Sequence, residues 1–148
     1  MEKWIYLDMD GTFVDFYGVE GWLAHLHAES VYPYRVAPAL VNLNSLAKTL
    51  HKLQRNGYKV GIISWTSRGG SQSYIDAIAE TKRKWLKRHL RSVVFDKIHI
   101  IPYGKPKSSC RHTTASYLFD DEERNREEWG ADTAYDVKDL LKELRNFY

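Results

Sequence analysis

The chain has little cysteine, little proline and little net charge. A single thiol, Cys110, stands among 148 residues. That excludes an intrachain disulfide and a cysteine-based zinc site. The four prolines are scattered, and no repeat, low-complexity tract or interdomain linker interrupts the chain. No apolar run approaches the ~18 residues of a membrane-spanning helix. The N-terminus lacks the charged, apolar and small-residue succession of a signal peptide, so a cytoplasmic location is expected. A formal charge of +3 is too mild to imply a nucleic-acid partner, yet it would not repel a phosphorylated substrate.

What the chain does have is apolar mass, 43% of residues, unusually rich in rings: ten Tyr, five Trp and five Phe. This is enough for one core, and the length predicts one domain over residues 1–148. Apolar runs predict strands over residues 3–8, 58–64, 97–101 and 116–119, with a short fifth over 131–134. Helical spacing predicts helices over 38–55, 71–91 and 137–146, and Asn56-Gly57 is a stop signal for the first of these. Residues 12–37 form a connecting insert with a short helix over 19–29. Strands alternating with helices predict an α/β fold, with a parallel sheet covered by helices on both faces.

Polar residues of defined chemistry follow the strands. Asp8 and Asp10 follow the first and Ser64 the second, with Thr66, Ser67 and Arg68 behind it. Lys105 and Lys107 follow the third, and Asp120 and Asp121 the fourth. In a parallel sheet these positions converge at the carboxyl edge, where open α/β folds build their sites. The set comprises a nucleophile with a neighbouring acid, a hydroxyl, a lysine and a second acid pair. That inventory suits phosphoryl transfer through an aspartyl-phosphate with a divalent ion.

With these residues the sequence resembles the haloacid dehalogenase superfamily of phosphohydrolases, over nearly the whole chain. The resemblance implies a three-layer α/β/α sandwich with a Rossmann-like sheet in the order 5-4-1-2-3. It implies Mg²⁺ as cofactor. By the match to Asp8-Met9-Asp10-Gly11-Thr12, Asp8 is the nucleophile. Asp10 is then the general acid/base and gives the metal its backbone carbonyl. Ser64, ending the strand Gly61-Ile62-Ile63-Ser64, holds the phosphate, and Thr66 is the weaker alternative to it. Apart from the resemblance, Trp65 after Ser64 reads equally as a wall of the phosphate pocket or as a core residue. Asp121 is the direct metal ligand, Asp120 supports it, and Asn125 lies beside it. Two lysines compete for the phosphate. The Lys-Pro form favours Lys105, the shorter run to the acid pair favours Lys107, and the rest of the loop inclines the choice to Lys107.

A narrower resemblance is to the 5′(3′)-deoxyribonucleotidase-like group, carried by Asp15-Phe16 after the first motif and by Leu118-Phe119-Asp120-Asp121-Glu122-Glu123-Arg124-Asn125. It implies a nucleoside monophosphate substrate, with Phe16 near the base. That group carries a helical cap, for which residues 12–37 are too few to form an independent core. A nucleic-acid end or a phosphoprotein is the alternative substrate, and a non-catalytic phosphate-binding module is the alternative class.

Other signals read as ordinary. Lys82, Arg83, Lys84, Lys87, Arg88 and Arg91 predict a solvated basic helix face in preference to a nucleic-acid footprint. His25 and His27, two apart on a helix, cannot face a common metal. His112 lies near the lysine loop within reach of a substrate, and nothing suggests that Cys110 is activated.

Overall fold

Five short strands carry the β-branched and aromatic residues, and they assemble as one parallel sheet. The computed structural model describes residues 1–148. The strands are β1 (Lys3–Leu7), β2 (Tyr58–Trp65), β3 (Lys97–Ile101), β4 (Ser116–Phe119) and β5 (Ala134–Tyr135). Their spatial order is β3-β2-β1-β4-β5, all pairs parallel. This is the order 5-4-1-2-3 that the family resemblance implies. It reverses at β1, and a crevice forms outside the carboxyl ends of strands at such a switch point.

Side-chain alternation along β1 divides the core in two. Ile5 and Leu7 face helix α3 (Leu43–Arg55), helix α4 (Gln72–His89) and helix α6 (Leu140–Arg145), through Leu46, Leu50, Leu53, Trp85, Leu86 and Leu144. Trp4 and Tyr6 face the other way, onto Ile63, Leu118 and Trp129 of helix α5 (Glu123–Trp129). Helices thus cover both faces of the sheet.

Local chemistry sets the element ends. The Asn42 side chain accepts from the Ser45 amide at 2.9 Å, which starts α3 at Leu43, later than the residue 38 that the apolar spacing predicts. Gly57 ends that helix at φ 90°, in the left-handed region that Asn56-Gly57 foretells. Ser71 caps α4 through the Tyr74 amide at 3.2 Å. One strand prediction needs correction, and one helix was not predicted. Residues 131–133 form a 3-10 turn, and the fifth strand is Ala134–Tyr135. α5, a seven-residue helix, lies where the acid-rich sequence carries no clear apolar period.

The insert folds into two short helices, α1 (Trp22–His27) and α2 (Tyr32–Val36), in place of the one expected over 19–29. Pro33 stands at the start of α2, where its lost N–H is not needed. The insert has no independent core. Phe16 and Tyr34 share a small cluster with Tyr74 and Ile78 of α4, flanked by Trp22, Leu26 and Val31. The insert is therefore anchored to α4 beside the sheet edge.

Candidate active site

The chain leaves β1 through a tight turn that sets the first acid pair. The Thr12, Phe13 and Val14 amides all donate to the Met9 carbonyl, at 3.0, 3.2 and 3.1 Å. Gly11 sits in this turn at φ 81°. A Cβ placed there would lie 2.2 Å from Asp121 Oδ2, so only glycine admits the fourth-strand acid to the first-strand turn.

Asp8, Asp120 and Asp121 converge, with one carboxylate oxygen from each within 4.8 Å of the others. Lys107 is buried among them. Its ammonium donates to Asp8 Oδ1 at 2.9 Å and to Asp120 Oδ2 at 2.6 Å. Burial opposes the Lys107 charge, but the carboxylates of Asp8 and Asp120 outweigh it and hold its pKa above the ordinary value. Lys105 is exposed at the surface of the loop. Its backbone carbonyl, not its amine, enters the structure, accepting from the Trp65 indole at 2.8 Å.

The two acids after β4 differ in their partners. Asp120 is fully engaged: Oδ2 accepts from Lys107 and, at 3.1 Å, from Asn125, while Oδ1 accepts from the Glu122 amide at 2.9 Å. Asp121 Oδ1 is buried with no hydrogen-bond partner. Such an oxygen is costly unless something else satisfies it. Burial, and next the Asp8 charge, push the Asp121 pKa up to about 8. The same two causes push Asp120 to about 6, against the pull of Lys107. A divalent cation held by hard oxygens fits this donor set: it would satisfy the unpartnered oxygen and offset charge that one lysine does not balance.

The sequence reading of the basic helix face is corrected at Lys82. Its side chain is only 2% exposed and points into the site. The ammonium donates to Asp10 Oδ2 at 2.8 Å, Ser64 Oγ at 2.8 Å and the Trp65 carbonyl at 2.7 Å. The Tyr34 ring lies 5.3 Å from it. Arg83, Lys84, Lys87, Arg88 and Arg91 are exposed, as a solvated face requires. The missed signal was positional. Tyr74, Ile78, Lys82 and Trp85 fall at helical spacing on one buried stripe, and the charge of Lys82 concealed its membership. Asp10 is pushed above the usual carboxylate range by burial, with Lys82 pulling the other way.

Beyond the charged floor lies a cavity of about 290 Å³, lined by Asp8, Asp10, Ser64 and Lys107 at its base. Thr66 also lines it, with its buried hydroxyl unpartnered. The insert supplies an aromatic wall. Phe16 borders the cavity but is 3% exposed, packed on Tyr34 at 4.5 Å, so its ring supports the wall and has little free face. Tyr17, 48% exposed and edge-on to Phe16 and Trp22, presents the accessible ring. At the rim, Trp65 and Tyr103 lie 4.9 Å apart, and the Arg124 guanidinium stacks on both. Arg68 also lines the cavity and is exposed. His112 does not line the cavity; it pairs with Glu2 at 2.9 Å and packs on Trp4. His25 stacks on Tyr32, and Cys110 packs among the residues around Trp4 and Tyr6.

No protein-family model matches the sequence, and comparison with the curated proteins gives no match. Solved structures do match. The fold is that of the haloacid dehalogenase-like α/β sandwiches. One neighbour is the D,D-heptose 1,7-bisphosphate phosphatase of Burkholderia thailandensis, with 14% identity and a TM-score of 0.55 over 99% of this chain and 98% of that one. Another is the D,D-heptose 1,7-bisphosphate phosphatase of B. bronchiseptica, solved with magnesium and phosphate, with 14% identity and a TM-score of 0.58 over 98% and 97% of the two chains. At this identity the likeness shows the fold, and the chemistry has to be argued from the residues.

Proposed function

We propose that this chain is a Mg²⁺-dependent phosphomonoester hydrolase that works through an aspartyl-phosphate on Asp8. The observation that carries this reading is the buried cluster of Asp8, Asp121 and Lys107, in which one Asp121 oxygen has no partner. The B. bronchiseptica neighbour, whose structure is a complex with magnesium and phosphate, supports the reading. Asp8 and Asp121 would hold the ion, with the Asp10 backbone carbonyl as the further protein ligand that the family resemblance implies. When bound, Mg²⁺ supplies Lewis-acid neutralisation of the phosphoryl oxygens.

The residues divide the chemistry. A carboxylate oxygen of Asp8 attacks phosphorus, forming the O–P bond as the ester P–O bond breaks. Asp10 gives its proton to the departing alkoxide. Water then attacks the aspartyl-phosphate and passes a proton to Asp10. The Asp8–phosphorus bond breaks, inorganic phosphate leaves, and both acids return to their starting states. Lys107 offsets charge at Asp8, and the Ser64 hydroxyl faces the cavity as a phosphate donor.

The proposed substrate is small and phosphorylated, with a nucleoside monophosphate preferred. An aromatic wall over a charged floor suits a flat base attached to a phosphate. The insert narrows the approach to the floor, which favours a small molecule over a nucleic-acid end or a phosphoprotein. The test is hydrolysis by the purified chain with Mg²⁺ of nucleoside monophosphates, ribose 5-phosphate, a heptose phosphate and a phosphorylated oligonucleotide. A higher kcat/KM for the nucleotides is expected. Equal values for nucleotide and bare sugar phosphate would replace the nucleotidase reading with a sugar-phosphate one. No release of phosphate from any of them would leave the chain a binding module.

A further inference from the structure

Lys82 is a buried charge that the hydrolase scheme above does not use. It reaches the site from the middle of α4, with its stem fixed between Ile78 and Trp85 on the buried stripe. An ammonium group has three N–H donors and accepts nothing. All three are spent inside the protein, on Asp10 Oδ2, Ser64 Oγ and the Trp65 carbonyl. Lys82 therefore has no donor left for a substrate. This separates it from Lys107, which grips Asp8 and Asp120 at the other end of the floor.

We propose that Lys82 is a positioning residue, which fixes the Ser64 hydroxyl and the Asp10 carboxylate so that each turns its free atom toward the phosphoryl group. The argument is one of donors and acceptors. Lys82 occupies a lone pair of Ser64 Oγ, and that oxygen has no other hydrogen bond in the protein. Its proton cannot point at an ammonium, so it points away, and Ser64 lines the cavity. On Asp10, Oδ2 is occupied by Lys82 and Oδ1 has no protein partner. Oδ1 is thus the oxygen free to exchange a proton with leaving group or water. The bond to the Trp65 carbonyl ties both groups to the end of β2, and the Tyr34 face closes the pocket around the cation. Each acid of the first motif has its own lysine, one for Asp8 and one for Asp10.

The assignment of Asp10 rests on the proposed hydrolase chemistry, whereas that of Ser64 needs only a phosphate. The experiment therefore reads both. Lys82→Met keeps the stem's length and removes every donor. It should fold, and it should lose at least ~10-fold in kcat with KM changed less, because misplacement of positioned groups is felt in the transition state. Its affinity for inorganic phosphate with Mg²⁺, by calorimetry, should fall several-fold. In a Ser64→Ala background the same substitution should leave phosphate affinity unchanged, since the group it orients is already gone. A merely structural lysine would lower phosphate affinity equally in both backgrounds, and that result would overturn the proposal. So would wild-type kcat and phosphate affinity in Lys82→Met. If Lys82→Met does not fold, Lys82→Leu, which likewise carries no donor, is measured in the same cycle against the same outcomes. A wild-type chain that binds phosphate but hydrolyses nothing would end the hydrolase reading, and the phosphate cycle alone would then decide the role of Lys82.

Discussion

The floor and the wall of the cavity are built on opposite terms. The floor is charged, buried and held by the ends of β1, β2 and β4, with two lysines bonded directly to three of its four carboxylates. The wall is aromatic and partly exposed, and it hangs from two short helices whose core is borrowed from α4. Every floor contact is a donor–acceptor pair at a set distance. The wall contacts are ring packings, which tolerate rearrangement. The difference assigns chemistry to the floor, where a small displacement is expensive, and selectivity to the wall, where surface is what counts.

The largest expected effect breaks the floor at its nucleophile. Asp8→Asn keeps the shape and one of the two acceptor oxygens, the one that can still face Lys107, so folding should survive. Turnover should fall by ~10⁴-fold or more, as removal of a nucleophile does elsewhere. Activity within tenfold of wild type would show that Asp8 does not attack phosphorus.

The lysines of the loop sharpen the comparison within the floor. Lys107→Ala should cost at least ~10²-fold in rate, the scale of removing one stabiliser of developing charge. Lys105→Ala should cost far less, because only its backbone is hydrogen-bonded. The reverse ranking would make Lys105 the phosphate-contacting lysine.

At the wall, smaller effects that depend on the substrate are expected. Stacking of a base is worth ~1–3 kcal/mol, or roughly five- to 150-fold in kcat/KM if it persists in the transition state. Tyr17→Ala should lower kcat/KM for a nucleoside monophosphate within that range and leave ribose 5-phosphate nearly unaffected. Phe16→Ala should do the same by loosening the wall from Tyr34. An equal loss on both substrates would mean that the insert serves the floor and not the base.

The smallest effect is on stability. Asp120 and Asp121 have pKa values raised in the folded protein to about 6 and about 8. A raised carboxylate stabilises the fold below its unfolded pKa, and that contribution is lost as pH rises through the folded value. The metal-free protein should therefore lose stability between about pH 4 and pH 8 at this cluster. Mg²⁺ competes with those protons, so its stabilising shift in Tm should widen over the same interval. EDTA should abolish the shift along with turnover. A metal-induced shift independent of pH would place the ion away from these acids.

Much of the floor was legible because its residues follow strands. Apolar runs mark β1, β2 and β4, their parallel order brings the ends together, Asp8 and Asp120 follow directly, Ser64 is the last residue but one of β2, and Lys107 comes one short loop after β3. The choice of Lys107 over Lys105 comes from the resemblance in the loop and not from periodicity, since the two differ only in how the loop turns after β3. The unequal roles of Asp120 and Asp121 likewise come only from the resemblance; physically they depend on a donor from Asn125 and on the close approach at Gly11.

The sequence by itself determined the layered α/β architecture, the sheet and the gathering of acids at its carboxyl edge. Periodicity and the residues at strand ends are local properties, and the parallel topology follows from their alternation. Only the tertiary structure decided that Lys82 belongs to the floor and that the insert becomes a wall. Lys82 lies seventy-two positions from Asp10 and eighteen from Ser64. A charged residue on an otherwise basic helix shows its partners only when the helix has docked and buried it. The rings of the insert likewise acquired a face only when α4 supplied the core they lacked.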